Sequence, residues 1–156
     1  MSMKSVNYWL MKSEPDVFSI DDLKKKKRTM WEGVRNYQAR NFMRDAMKKG
    51  DKVLYYHSNC KEPGIVGLGE ILTDTAYPDP TQFDENSNYF DPKATKEKPR
   101  WMLVDVGFVE KFDHEISLKS IKENPELNSM KVAQKGMRLS IQPVDKSHFD
   151  KIIQLK

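Results

Sequence analysis

Among 156 residues there is one cysteine, Cys60. A lone thiol excludes an internal disulfide and a four-cysteine zinc site, and a cytoplasmic, intracellular protein is the default, nuclear if its source is eukaryotic. No apolar run approaches the roughly 20 residues that a bilayer span needs. The densest, Val53-Leu54-Tyr55-Tyr56, is the length of a strand. The N-terminus shows no apolar stretch of a secretory signal. Also missing are G-x-S-x-G, the P-loop, G-x-G-x-x-G and H-E-x-x-H, so none of the common catalytic or dinucleotide signatures has a starting point. His57-Ser58-Asn59-Cys60 offers half of a zinc site, but the other ligands do not follow in the chain. Cys60 beside His57 or His114 is a candidate thiol nucleophile without a supporting motif. His148 reads as a surface or packing histidine. No metal, cofactor or catalytic group is therefore expected.

Acidic excess is absent as well. The formal net charge is +4, the pI is about 9.0 and mean hydropathy is −0.76. The charge is uneven. Residues 1–50 hold 12 Lys/Arg against 6 Asp/Glu, residues 51–110 hold 6 against 11, and residues 111–156 hold 9 against 6. A basic front half permits nucleic-acid binding. A lysine-rich solubilising surface is the other reading of the same numbers.

There is no internal repeat and no low-complexity linker, and 156 residues fit a single domain, taken as 1–156. Val6–Met11 is dense in β-formers and ends at Ser13-Glu14-Pro15, which predicts a strand. Ser19 with Asp22 resembles a helix N-cap, and Lys24–Arg28 forms a cationic tail suited to a helix C-terminus. Ala39, Phe42, Met43, Ala46 and Met47 recur at helical spacing, predicting an amphipathic helix over 38–48 stopped by Gly50. Lys52–Ser58 and Ile65–Leu72 read as strands around a Pro63-Gly64 turn, and Gly67 and Gly69 signal bulges or a close backbone approach. Trp101–Val109 is a further strand, with Glu110–Glu115 pairing nearby. Ser117 caps a short helix ahead of Pro125, Arg138–Pro143 alternates like a strand, and Asp145 opens a last helix. Residues 77–100 form a long proline-rich loop, functional or merely inserted. Strands interrupted by short helices give an α+β class with a small mixed sheet or barrel. Tyr8, Leu10, Val53, Val66 and Val104 or Val106 are expected to share one core beneath the 39–47 helix.

The segment Trp31-Glu32-Gly33-Val34-Arg35-Asn36-Tyr37-Gln38-Ala39-Arg40-Asn41 combines aromatic rings, guanidinium groups, amides and a glycine. An extruded base needs such groups: rings stack on it, amides read its edge, and arginine meets phosphate. The competing reading is that Trp31 and Tyr37 fill the core. Lys12-Ser13-Glu14-Pro15 and Tyr55-Tyr56-His57-Ser58 end two strands, where polar side chains line a sheet's rim.

Tyr8 to Pro15, Trp31 to Asn41, Tyr55 to Ser58, Pro63-Gly64-Ile65-Val66-Gly67, and then Tyr77-Pro78-Asp79 with Asp84 and Trp101, occur in an order that resembles the EVE domain family over nearly the whole chain. The resemblance implies a PUA-like fold, a mostly antiparallel β pseudo-barrel with flanking short helices. It also implies kinship with YTH domains, which hold a methylated adenine in an aromatic cage. Lys12 and Ser13 resemble the pair at that cage's floor, and Trp31 a cage tryptophan. Glu14 stands where YTH domains carry an asparagine that reads the base. An ionised carboxylate accepts from an exocyclic amine, as glutamate does from cytosine N4, which is compatible with a modified cytosine. The second cage tryptophan has no counterpart, and Tyr89 and Phe90 of the long loop are its substitutes.

The resulting expectation is a reader of DNA or RNA carrying a modified base. Ser13, Glu14, Trp31, Asn36, Tyr55, His57 and Ser58 form the base pocket. Lys12, Arg35, Arg40, Lys24, Lys25, Lys26, Lys27 and Arg28 hold the backbone. Trp31, Ser13 and His57 are expected to line one cavity open to solvent, with Trp31 contributing less to stability than a core tryptophan. A nucleotide-metabolite enzyme using the same pocket is the alternative, and a protein-binding adaptor is a third reading.

Overall fold

The structure is a computed structural model that describes residues 6–156. Among the described residues eight strands form two sheets. They are β1 (Tyr8–Ser13), β2 (Arg28–Met30), β3 (Lys52–His57), β4 (Gly64–Ile71), β5 (Tyr77–Pro78), β6 (Met102–Leu103), β7 (Asp105–Ser117) and β8 (Ile141–Val144). Six lie in one sheet in the order β2-β7-β4-β3-β1-β8, and β5 pairs with β6. All neighbours are antiparallel except β1 and β3, which run parallel from Tyr8 opposite Lys52 to Ser13 opposite His57. Parallel pairing requires a crossover. Here residues 14–51 supply it, through α1 (Pro15–Phe18), α2 (Ile20–Lys26), β2 and α3 (Tyr37–Asn41). The pairing brings the C-terminal ends of β1 and β3 to the same rim.

The expected bulges are present. The β4–β7 register shifts between Ile65 and Gly67 and again between Leu68 and Gly69. A Cβ on Gly67 would meet the Glu110 carbonyl and lie 2.8 Å from the Ile20 side chain, so β7 and α2 both close on bare backbone there. Such bulges bend a sheet, and this one curls into a mostly antiparallel half-barrel flanked by short helices.

The single core expected from the strands is instead two, one on each face. Trp9 and Met11 pack with Val53, Tyr55, Val66, Val104 and Val106 beneath Ala39 and Met43. Leu10 packs with Leu54, Tyr56, Ile65 and Phe112 on the other face, where Tyr8 joins them. Successive strand residues face opposite sides, and Leu10 is in register with Leu54, so Tyr8 and Leu10 cannot share the face of Val53. Helices α4 (Leu118–Glu123) and α5 (Lys146–Leu155) cover the second face through Ile121, Phe149 and Ile152.

Four local expectations also shift. The 38–48 helix is α-helical only to Asn41 and continues as a π-helical turn, Phe42–Ala46, closed by Met47 N–H donating to the Phe42 carbonyl at 2.9 Å. Ala39, Met43 and Met47 are still buried, so the apolar spacing holds while the turn widens. The Ser19–Asp22 capping box is formed, but α2 ends at Lys26, and Arg28 enters β2. The strand at 101–109 is two strands, β7 running on through Ser117. The 138–143 strand begins only at Ile141. Among the described residues no helix is long and apolar enough to cross a membrane.

Candidate nucleic-acid interface

At the rim reached by β1 lies a cavity of about 420 Å³, lined by Lys12, Ser13 and Glu14, by Val17, Phe18 and Lys26 of the crossover, by residues 29–35, and by Tyr89 and Ser140. Larger hollows of about 730 and 610 Å³ occur elsewhere, and neither has an aromatic ring set against a strand-end Ser and Glu.

Trp31 forms one wall. Its backbone N–H donates to Val104 at 2.9 Å, and its ring meets Tyr55 edge-on at 5.7 Å. The ring is only 8% exposed and belongs to the core beside Ile20 and Leu23, so the expectation that it stands apart from the core is corrected. Its polar edge is a different matter. Trp9 donates its indole N–H to Asp51 and Trp101 donates to Asp91, whereas among the described residues the Trp31 indole N–H has no protein acceptor and is not sealed from solvent.

Tyr89 lines the same cavity from the long loop. It packs over Gly33, whose φ is +84°, and a Cβ there would lie 2.7 Å from the Tyr89 ring. Phe90, the other proposed substitute, is exposed and does not line the cavity. The loop is pinned by Asp79, which is 1% exposed. Its carboxylate accepts from Gly33 N–H at 2.8 Å, from Arg35 at 3.2 Å, and from the Thr81 N–H and hydroxyl at 2.8 and 2.6 Å. Arg35 also donates to the Tyr89 carbonyl at 2.6 Å and lies over the Tyr89 and Trp101 rings. Its donors are thus committed to the wall. Arg40 is similar, donating to the Arg100 carbonyl at 2.8 Å and covering the Tyr37 ring, which stacks on Trp101.

Ser13 donates to the Phe18 carbonyl at 2.7 Å, as does the Tyr55 hydroxyl. Tyr55 lies wholly behind the wall, where burial pushes its hydroxyl pKa up to about 12. Glu14 is held by Asn59, whose amide donates to it at 2.6 Å. Lys12 is half-buried on the lining, and desolvation pulls its ammonium pKa down. Asn36 faces a neighbouring hollow and caps α3 through Ala39 N–H. Ser58 lies off the lining, tied to the Ser13 carbonyl through its backbone N–H. Of the basic run, Lys26 lines the cavity, Lys24, Lys25 and Lys27 are exposed elsewhere, and Arg28 pairs with Asp105 at 2.5 Å. The cavity therefore gathers Lys12, Ser13, Glu14, Lys26, Trp31 and Arg35 of the expected set. It includes Tyr89, one of the two substitutes for the second cage ring, and adds Thr29, Met30, Gly33 and Ser140, and Asp79 and Asn59 support it from behind. Asp79 was visible only within the Tyr77-Pro78-Asp79 motif, and nothing in the sequence pointed to Ser140 or Asn59.

His57 also lies off the cavity. Its Nε2 accepts from Ile20 N–H at 3.0 Å, fastening β3 to the start of α2. Burial is the main cause that lowers its pKa from 6.5; Lys111 adds to this, and Asp21 and Asp22 oppose it. The folded state therefore binds fewer protons than the unfolded chain below about pH 6.5. His57 should contribute stability that is full above that pH and falls as pH drops below it. Denaturation midpoints at pH 7.5 and 5.5 are expected to differ less in His57→Gln than in the unsubstituted protein. An equal difference removes His57 as the source.

A curled, mostly antiparallel half-barrel with short helices and a cavity at the rim of its parallel strand pair is a PUA-like architecture. The EVE domain profile matches residues 7–155, and the chain belongs to that family. It is 46% identical to thymocyte nuclear protein 1 of Rattus norvegicus over 169 aligned residues, covering 96% of this chain and 74% of that one. Among solved structures, human THYN1 protein in complex with 5-methylcytosine-containing DNA superposes with a TM-score of 0.87 at 46% identity, covering 96% of each chain. A protein from Pseudomonas syringae superposes with a TM-score of 0.90 at 51% identity, covering 95% of this chain and 98% of that one.

Proposed function

We propose that this chain binds nucleic acid and reads one extruded base, 5-methylcytosine or a closely related modified cytosine, without altering it. The observation that carries this reading is the cavity that sets Trp31 beside Ser13 and Glu14, in a family whose human member was solved with 5-methylcytosine-containing DNA. The base stacks on Trp31, with Tyr89 facing it. Glu14, oriented by Asn59, accepts from the exocyclic amine. Val17, Phe18 and Met30 give the 5-methyl group apolar contact. Lys12 and Lys26 offer cations to the flanking phosphate. Tyr55, His57 and Ser58 act from behind the wall, and Arg35 and Arg40 hold the loop that carries Tyr89. The relatives' names describe a nuclear protein and a DNA complex, and none of them names a reaction.

Glu14→Gln tests the assignment. It replaces a pure acceptor with a group that also donates. A matched base-edge contact carries about 1–3 kcal/mol of discrimination. The preference for an oligonucleotide with 5-methylcytosine over one with thymine at the same position is expected to fall about tenfold, with binding retained. Competition titrations measure it, and an unchanged ratio removes Glu14 from the reading.

A further inference from the structure

The cavity does not end at Ser140. A second hollow of about 430 Å³ is lined by the next residues of both walls: Asn36 and Gln38 follow Val34 and Arg35 on one side, and Leu139 and Arg138 precede Ser140 on the other. This hollow in turn shares Met137 and Arg138 with a third, of about 730 Å³. Lys131 and Arg138 line the second, and Lys122, Lys135 and Arg138 line the third. Among the described residues no carboxylate lines either. All four cations are exposed, and among the described residues none is in an ion pair.

Lys122 sits on α4, and the segment that displays the other three is fixed rather than loose. Val132 is buried in the second core, and Gln134 donates to the Asn128 and Met130 carbonyls at 3.0 and 3.1 Å. Cations on a pinned backbone lose little order on binding, which favours a charged ligand. The Lys24–Arg28 run is placed differently. Arg28 is spent on Asp105, α2 itself carries Asp21 and Asp22, and Lys24, Lys25 and Lys27 line none of these three hollows.

We propose that Lys122, Lys131, Lys135 and Arg138 form the track along which the sugar–phosphate backbone leaves the base cavity. This rests on the base-reading proposal for where the strand starts, and the experiment separates the two. Each phosphate neutralised contributes about 0.9 to the slope of log affinity against log salt on duplex DNA. The probe is a DNA duplex with one central 5-methylcytosine, beside its unmodified counterpart, titrated across a series of NaCl concentrations. Lys122→Gln/Lys131→Gln/Lys135→Gln/Arg138→Gln is expected to flatten the slope by up to about 3–4 and to weaken both duplexes by the same factor, because phosphate contacts carry no base information. Lys24→Gln/Lys25→Gln/Lys27→Gln is expected to change the slope little. Should the quadruple variant melt early, Lys131→Gln/Lys135→Gln alone should flatten it by up to about 2.

A slope unchanged by the track variants, with methyl discrimination intact, overturns the track and leaves the base reading standing. A flattened slope in a protein that never discriminates the methyl group does the reverse. If the unsubstituted protein binds neither duplex, both fall.

Discussion

Asp79→Ala is expected to lower stability by about 3–5 kcal/mol, the range for removing one member of a buried charged pair and orphaning its partners. Arg35 would keep the Thr81 hydroxyl and the Tyr89 carbonyl but lose its counter-charge, and Gly33 N–H and Thr81 N–H would lose their acceptor. Asp79→Asn should recover only part of this, because one end of the amide is a donor aimed at groups that themselves donate. Urea denaturation gives both values. The carboxylate also ties the long loop to the cavity wall at Gly33, so Tyr89 should lose its fixed place. Affinity for a methylated oligonucleotide is expected to fall in the fraction of Asp79→Ala that remains folded. A loss of stability with affinity unchanged would mean that the loop is not part of the binding wall.

How much of this was legible depends on the range of the interaction. Alternation and turn residues are local, so β3, β4 and the bulges at Gly67 and Gly69 could be read from the chain. The Ser19–Asp22 box is local too, and it formed as read. The two-faced core was misread because apolar strand residues were counted without assigning them to faces, a matter that only the β1–β3 register settles. The basic run looked like one helical tail, yet the positive φ of Lys27 breaks it and Arg28 answers Asp105, 77 residues away. The cavity shows the same division. Ser13, Glu14 and Trp31 sit in segments whose composition or family likeness stands out. Tyr89 was named only as a stand-in for the missing cage tryptophan, whereas Asp79, Asn59 and Ser140 reach the site through contacts between 44 and 46 residues apart or through the path of the chain, which leave no period to detect.

Trp31→Ala is expected to fail in two ways at once, and the structure says how to separate them. Stacking on an aromatic ring is worth roughly 1–3 kcal/mol per base, so affinity for the preferred oligonucleotide should drop about tenfold to a hundredfold. The ring is also core, packed edge-on against Tyr55. Its truncation should therefore cost about 3–5 kcal/mol of stability as well, more than its place in a polar segment suggested. A weakened complex could then be blamed on unfolding. Trp31→Leu separates the causes, since a branched apolar side chain refills part of the void but offers neither a ring face nor an indole N–H. Leucine should regain a large part of the lost stability, read by urea denaturation, while binding as weakly as alanine. Trp31→Phe keeps a ring face and should lie between leucine and tryptophan in affinity. If leucine binds as tightly as tryptophan, the ring serves the core alone and the base is held by something other than stacking on Trp31.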